Sequence, residues 1–327
     1  MKRRRFLLSC GAVGLGLSRF PIVAQDRVRR VGWLTGGSPK SHAKLLGAFR
    51  AGMKEHGWVE GRNLALELRW AQGDMGRLPA LAAELVALQP EVIVTAANVV
   101  HLAMKKATAT IPIVMATGAD PVEAGLVASL ARPGGNVTGL SGFFEATPIK
   151  MLELASALVP RGSRVAVMVD LKTPFSSPAY RREVLRTADG TGLKAEFVEV
   201  ASVADVSRAL AALRSNLPGA LVVLPSPMIF FLARDMVKPA GELKVPAVYP
   251  FEDSADAGGL MSYAAPLADS YRRAARYVDL ILRGAKPGEL PIEQPTRLSL
   301  VVNLKTAKAQ GIAIPRDVVL RADRVIE

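Results

Sequence analysis

The sequence predicts an α/β protein of two doubly wound parallel-sheet lobes joined by a hinge. Three observations carry that expectation. From Val28 onward, short β-rich apolar runs alternate with helix-period segments, the pattern of a parallel sheet wrapped by crossover helices. The 327 residues exceed what one ordinary core of about 100–200 residues holds. Two successive βα blocks of similar size follow each other with no Ser- or Gly-rich linker between them.

Each element has its own signal. VRRVGWLT reads as a strand, and Ser41 to His56 as a helix with Leu46, Phe49 and Met53 on its apolar face, stopped by Gly57. Leu64 to Trp70 alternates as a half-buried strand should, Leu78 to Leu88 is the next helix, and Pro90 lies just past its end. EVIVTAA is a strand, Val99 to Ala107 a helix, and IPIVMAT a strand. Asp120-Pro121 reads as a helix start, with the helix expected to run to about Ala131. Arg132-Pro133-Gly134-Gly135 then turns the chain into a strand from Val137 to Leu140. A phosphate loop needs glycines leading into a helix, whereas here they lead out of one.

The second half repeats the grammar. Helices are expected over Thr147–Leu158, Ala179–Asp189, Val203–Leu213, Met228–Leu243 and Asp269–Arg283. Between them stand the strands RVAVMVD, KAEFVEV, ALVVLPS, VPAVYP and GGLMSYA. After Pro295 come a strand, RLSLVVN, and a short helix over Lys305–Gln310.

Composition narrows the function classes. Half the residues are hydrophobic, ample for a buried core and far from the composition of disordered chains. Residues 1–24 open on Lys2-Arg3-Arg4-Arg5, continue through FLLSCGAVGLGL and end at Ala24, the order of an export signal of twin-arginine type. Five of the 42 basic residues and none of the 29 acidic ones fall in that segment, so the remainder carries a net charge of +8. That charge is spread along the chain with no basic cluster interleaved with aromatics, so no nucleic-acid partner is expected. The single cysteine, Cys10, leaves with the signal, which suits an oxidising compartment such as the periplasm.

Enzymatic motifs are missing. The histidines His42, His56 and His101 show no metal-binding spacing, and His42 and His56 read as surface residues of the first helix. Gly139-Leu-Ser141-Gly142 lacks the spacing of a nucleophile elbow, and no Walker A loop is present. No catalytic residue, metal or cofactor is therefore expected. No helix-turn-helix segment precedes the first strand, which argues against a repressor on such a fold.

Several stretches carry a resemblance that runs end to end. They are GWVEGRN with ELRWAQGDMGRLPALAAELV, IPIVMATGADPVEAGLVASLARPGGNVTG, GGLMSYA, LILRGAKPGELPIEQPT and VVNLKTAKAQGI. In these the chain resembles the ABC-transporter substrate-binding proteins of the tryptophan/tyrosine-type group. The resemblance implies a type I periplasmic-binding-protein fold whose lobes close on a small ligand. It also implies delivery to an inner-membrane ABC permease driven by a separate ATPase. The expected division is 28–141 for the first lobe, with 265–295 returning to it, and 142–264 for the second. Residues 296–327 are expected to close the hinge region with a strand and a helix, and a monomer is expected.

In open α/β sheets ligands bind beyond the carboxyl ends of the strands. The candidates there are Ser38, Asn98, Thr117 and Asp120 in the first lobe, and Asp170, Thr173, Ser226, Glu252 and Asp253 in the second. Asp120 also fits a helix cap alone, and Ser38 and Ser226 fit turns alone. Phe143, Phe175 and Phe251 are candidates for apolar walls or for core. Two loops depart from the family pattern: Asp170-Leu171-Lys172 where an Asn-Pro turn is usual, and AANVV where a Gly/Thr/Pro-rich loop is usual. The expected cargo is therefore an amino-acid-like molecule or a small carboxylate. The alternative is a ligand sensor of the same fold coupled to a membrane receptor.

Overall fold

A computed structural model describes residues 27–142, 147–295 and 297–327. The export-signal segment and Phe143 lie outside the described residues.

The first sheet holds β1 (Arg29–Thr35), β2 (Leu64–Trp70), β3 (Val92–Ala96), β4 (Ile113–Thr117) and β5 (Val137–Gly139). All pairings are parallel and the order is β2-β1-β3-β4-β5. Helices α1 (Ala43–Glu55), α2 (Leu78–Ala87) and α3 (Asn98–Ala107) connect these strands. Burial explains the patterns that marked them. The central β3 is buried at every position and is apolar but for Thr95, whereas the edge strand β2, which mixes polar and apolar residues, is half-exposed beyond Leu64.

The second half contributes β6 (Arg164–Asp170), β7 (Lys194–Val200), β8 (Ala220–Val223), β9 (Ala247–Tyr249), β10 (Met261–Ala264), β11 (Ser299–Asn303) and β12 (Arg324–Ile326). Its sheet runs β12-β11-β10-β9-β8-β6-β7, parallel except where β11 opposes β10. The helices of this half are α4 (Thr147–Ser156), α5 (Pro178–Thr191), α6 (Val203–Leu213), α7 (Pro227–Leu232), α8 (Val237–Gly241) and α9 (Glu252–Asp256). They are followed by α10 (Leu267–Leu282), α11 (Leu304–Gln310) and α12 (Arg316–Leu320). The core order β7-β6-β8-β9-β10 repeats the winding of the first sheet, so each lobe has a topological switch point beside its first strand.

Helix α10 belongs to the first lobe by packing. Its Tyr271, Ala274, Ala275 and Val278 share a buried cluster with Val31, Trp33 and Phe49. The Trp33 ring lies 5.3 Å from Tyr271 and 5.4 Å from Phe49, centroid to centroid. The chain thus passes between the lobes three times: after β5, after β10 and before β11. Two of these passages touch. Glu293 donates its N–H to the Gly139 carbonyl at 3.1 Å, and Ser141 donates to the Glu293 carbonyl at 3.0 Å.

Two helices expected from the sequence are revised. The helix expected from Asp120 to Ala131 is a single turn. Asp120 Oδ1 accepts from the N–H groups of Val122 and Glu123 at 2.7 and 3.1 Å, as a cap should. Gly125 then takes φ +65°, and Lys105 Nζ donates to the carbonyls of Gly125 and Leu126, so the helix does not continue. The helix expected over Met228–Leu243 is two, α7 and α8, broken before Pro239, which has no N–H to offer the preceding turn. The described segment 297–327 carries two strands and two helices. Its strands β11 and β12 extend the second sheet.

Candidate functional site

The carboxyl ends of both sheets face one cleft, and a cavity of about 240 Å³ lies in it. The first lobe supplies Thr35 and Gly36 after β1, Ala96 to Val100 after β3, and Thr117 to Ala119 after β4. From the second lobe come Lys172 to Phe175 after β6, Pro225 to Pro227 after β8, and Phe251 after β9. Phe230 and Phe231 of α7 and Tyr271 of α10 complete the apolar walls.

Local sequence sets these positions. Ser226 Oγ accepts from the Ile229 N–H at 3.0 Å and Pro227 takes the first helical position, so α7 starts where its two phenylalanines face the first lobe. Phe230 stacks edge-on against Phe251 at 5.2 Å and against the His42 ring at 5.3 Å. One aromatic side chain therefore joins the two lobes across the cavity.

His42 corrects the sequence reading, which left it on the surface. It is 3% exposed, and its ring packs edge-on to Trp70 at 6.0 Å. Its Nε2 lies 2.8 Å from Thr35 Oγ1 and its Nδ1 3.0 Å from Ser41 Oγ. Position explains the error: His42 precedes α1, so the helical period that assigns faces does not govern it. Burial lowers its pKa to about 4, and the imidazole is neutral at neutral pH.

Beneath the cavity, His101 is fully buried at the end of β3 and β4. Its Nε2 donates to the Thr117 carbonyl at 2.8 Å, so its Nδ1 accepts from Thr95 Oγ1 at 2.7 Å. Burial again lowers the pKa to about 4. The Thr117 carbonyl also accepts the Ala97 N–H at 3.1 Å. Ala97 sits at φ 72°, ψ 139°, a region that a side chain disfavours, so the turn into α3 is held under strain at the cavity wall. Gly118 closes this floor; a Cβ there would come within 2.7 Å of Asn98 Oδ1 and 2.8 Å of His101 Nε2.

The sequence candidates divide into two sets. Asn98, Thr117, Thr173 and Ser226 line the cavity, as do Phe175 and Phe251. Ser38, Asp120, Asp170, Glu252 and Asp253 do not. Ser38 is tied to Ser41 in the turn before α1. Asp120 caps an exposed turn, and Asp170 is turned back to accept the Lys172 N–H at 2.9 Å. Glu252 lies 3.9 Å from Lys44, and Asp253 lies 3.5 Å from Arg234. Sequence reasoning missed Thr35, His42, Phe230, Phe231 and Tyr271. Only the two phenylalanines carried a usable signal, directly after the Pro-Ser-Pro turn that ends β8.

A family model for ABC transporter substrate binding proteins matches residues 38–326. The chain belongs to that family. It is a substrate-binding protein of an ABC transporter, and its partners are a small-molecule ligand and the transporter it serves. The tyrosine-binding protein of Clostridioides difficile is 27% identical over 264 residues, 80% of this chain and 74% of that relative. The ABC domain from Streptococcus pneumoniae in complex with L-Trp is 25% identical with a TM-score of 0.81, over 91% of this chain and all of that one. A conserved domain protein from Vibrio cholerae is 27% identical with a TM-score of 0.82, at the same coverages. The family match spans both lobes, and the likeness to solved structures matches the two-lobed α/β fold. No helix among the described residues is long and apolar enough to cross a membrane.

Proposed function

We propose that this substrate-binding protein captures a small, largely apolar solute between its lobes and hands it, chemically unchanged, to an inner-membrane ABC permease with its ATPase. One observation carries the reading. A single cavity takes its walls from the strand ends of both lobes, so a solute inside it contacts both and favours their closed arrangement. Asn98, Thr117, Thr173 and Ser226 supply polar contacts, and Phe175, Phe230, Phe231 and Phe251 the apolar ones. An aromatic amino acid or a comparably sized carboxylate suits these walls, in keeping with the ligands named for the tyrosine-binding relative and the L-Trp complex. We further propose export to the periplasm by residues 1–24, cleavage near Ala24, and action as a monomer that performs no reaction.

The test is a thermal-shift screen of residues 25–327 against amino acids, aromatic acids, short peptides and small carboxylates. A solute at a hundredfold excess over its dissociation constant adds about 2.7 kcal/mol of stability. Recovery of the hit unchanged supports a carrier, and its consumption refutes one. A receptor kinase pulled down by the loaded form, in place of a permease, would favour the sensor alternative.

A further inference from the structure

The cavity is lined mainly by apolar groups, and no aspartate or glutamate is among the described residues that line it. The four acids that the sequence placed nearest the cleft are committed elsewhere. Asp120 caps its own turn, and Asp170, 3% exposed, accepts a backbone N–H. Glu252 and Asp253 face Lys44 and Arg234. A solute ammonium entering this cavity would lose water and meet no described counter-charge, a costly exchange. The neutral His42 adds no negative charge either.

Donors, by contrast, converge from both lobes. Lys172 is exposed at the rim, and its ammonium has no ion pair among the described residues. Asn98 keeps its Oδ1 buried without a partner and turned toward Gly118. Its amide nitrogen also has no partner among the described residues but is not buried, so an N–H2 group faces accessible space. Asn98 opens the ten-residue α3, whose first N–H groups have no intrahelical acceptor and whose N-terminal end carries partial positive charge.

We propose that the solute is a carboxylate without an amino group, an aromatic or branched aliphatic monocarboxylate. Its acid end is held by Lys172 and by the Asn98 amide at the start of α3, and its body lies against Phe175, Phe230 and Phe231. This assignment rests on the cavity being the solute site. It separates the chain from the relatives whose named ligands, tyrosine and L-Trp, carry an ammonium group.

Matched sets that differ in one group test it. L-Phenylalanine, 3-phenylpropionate and 3-phenylpropionamide form one set, and L-leucine, 4-methylpentanoate and 4-methylpentanamide another, each titrated calorimetrically into the purified protein. In at least one set the acid is expected to bind about tenfold or more tighter than the amino acid, because an unpaired buried charge costs at least that factor. The acid should also bind more tightly than the amide. Lys172→Gln should weaken the acid about three- to fivefold at low salt, less at high salt, and weaken the amide less than the acid.

An L-amino acid that binds more tightly than its des-amino partner overturns the charge assignment and leaves the substrate-binding reading intact. Unchanged acid affinity in folded Lys172→Gln overturns the proposed anchor. Silence from both sets overturns the solute class, while the broad screen decides separately whether the cavity takes any solute.

Discussion

The return of α10 to the first lobe can be tested with two identical substitutions on one helix. Gly52 and Gly47 both lie within α1, but they face different surroundings. A Cβ on Gly52 would overlap the carbonyl oxygen of Arg272 and lie within 2.8 Å of Ala275 Cβ, both in α10. A Cβ on the exposed Gly47 meets nothing within 4 Å. Glycine to alanine inside a helix is worth about 0.5–1 kcal/mol in stability where nothing obstructs it, so Gly47→Ala should stabilise by that amount. Gly52→Ala has the same propensity gain and an overpacking cost of about 1–3 kcal/mol, which no rotamer relieves because one obstructing atom belongs to a backbone. The difference between the variants isolates the helix crossing, at about 1–3 kcal/mol. Urea unfolding followed by far-ultraviolet circular dichroism measures it as a shift in midpoint at constant slope. Equal stabilisation by the two variants would refute the close contact of α1 with α10.

Three further outcomes follow from the site. His42 and His101 have folded pKa values of about 4 against an ordinary 6.5, so the unfolded chain binds more protons between those values. Stability should therefore be highest above about pH 6.5 and fall by up to about 3 kcal/mol per histidine as pH drops towards 4. A folded His101→Gln variant should lose about half of that slope in denaturant titrations at a series of pH values. Phe230→Ala removes the side chain that touches His42 and Phe251 and should lower solute affinity at least about tenfold, at a stability cost of about 1–3 kcal/mol for a half-buried ring. An unchanged titration would place the solute elsewhere. Ala97→Gly relieves a backbone strain of about 1–3 kcal/mol and adds about 0.5–1 kcal/mol of chain entropy, so it should stabilise by about 1 kcal/mol. A lower melting midpoint would show that the turn is unstrained.

Much of this architecture was written in local patterns, because strands and helices bury one face or two and each mode leaves a period in the residues. The buried run IVMAT, the alternating KAEFVEV and the capped VADVSRALAAL each became the element their period announced. Local signals failed where a neighbour decided the outcome. Asp120 caps the turn its sequence announced, but no helix follows, because Gly125 takes a positive φ and the Lys105 side chain, distant in sequence, holds the next carbonyls.

The sequence by itself determined two doubly wound lobes, their strand ends, and so the face on which a site must lie. It could also supply Asn98, Thr117, Thr173 and Ser226, since a strand end is a place along the chain. Which groups point inward was decided only by the tertiary structure. Asp170 and Thr173 stand three residues apart on one loop, yet the carboxylate turns back to its own backbone while the threonine lines the cavity. His42 reaches the cavity from the turn before α1, Tyr271 from α10, and Phe230 reaches across from the second lobe. The charge of the cavity is a sum over side chains from both lobes. No stretch of sequence contains that sum, because folding alone sets which charges share a space and which are spent on partners elsewhere.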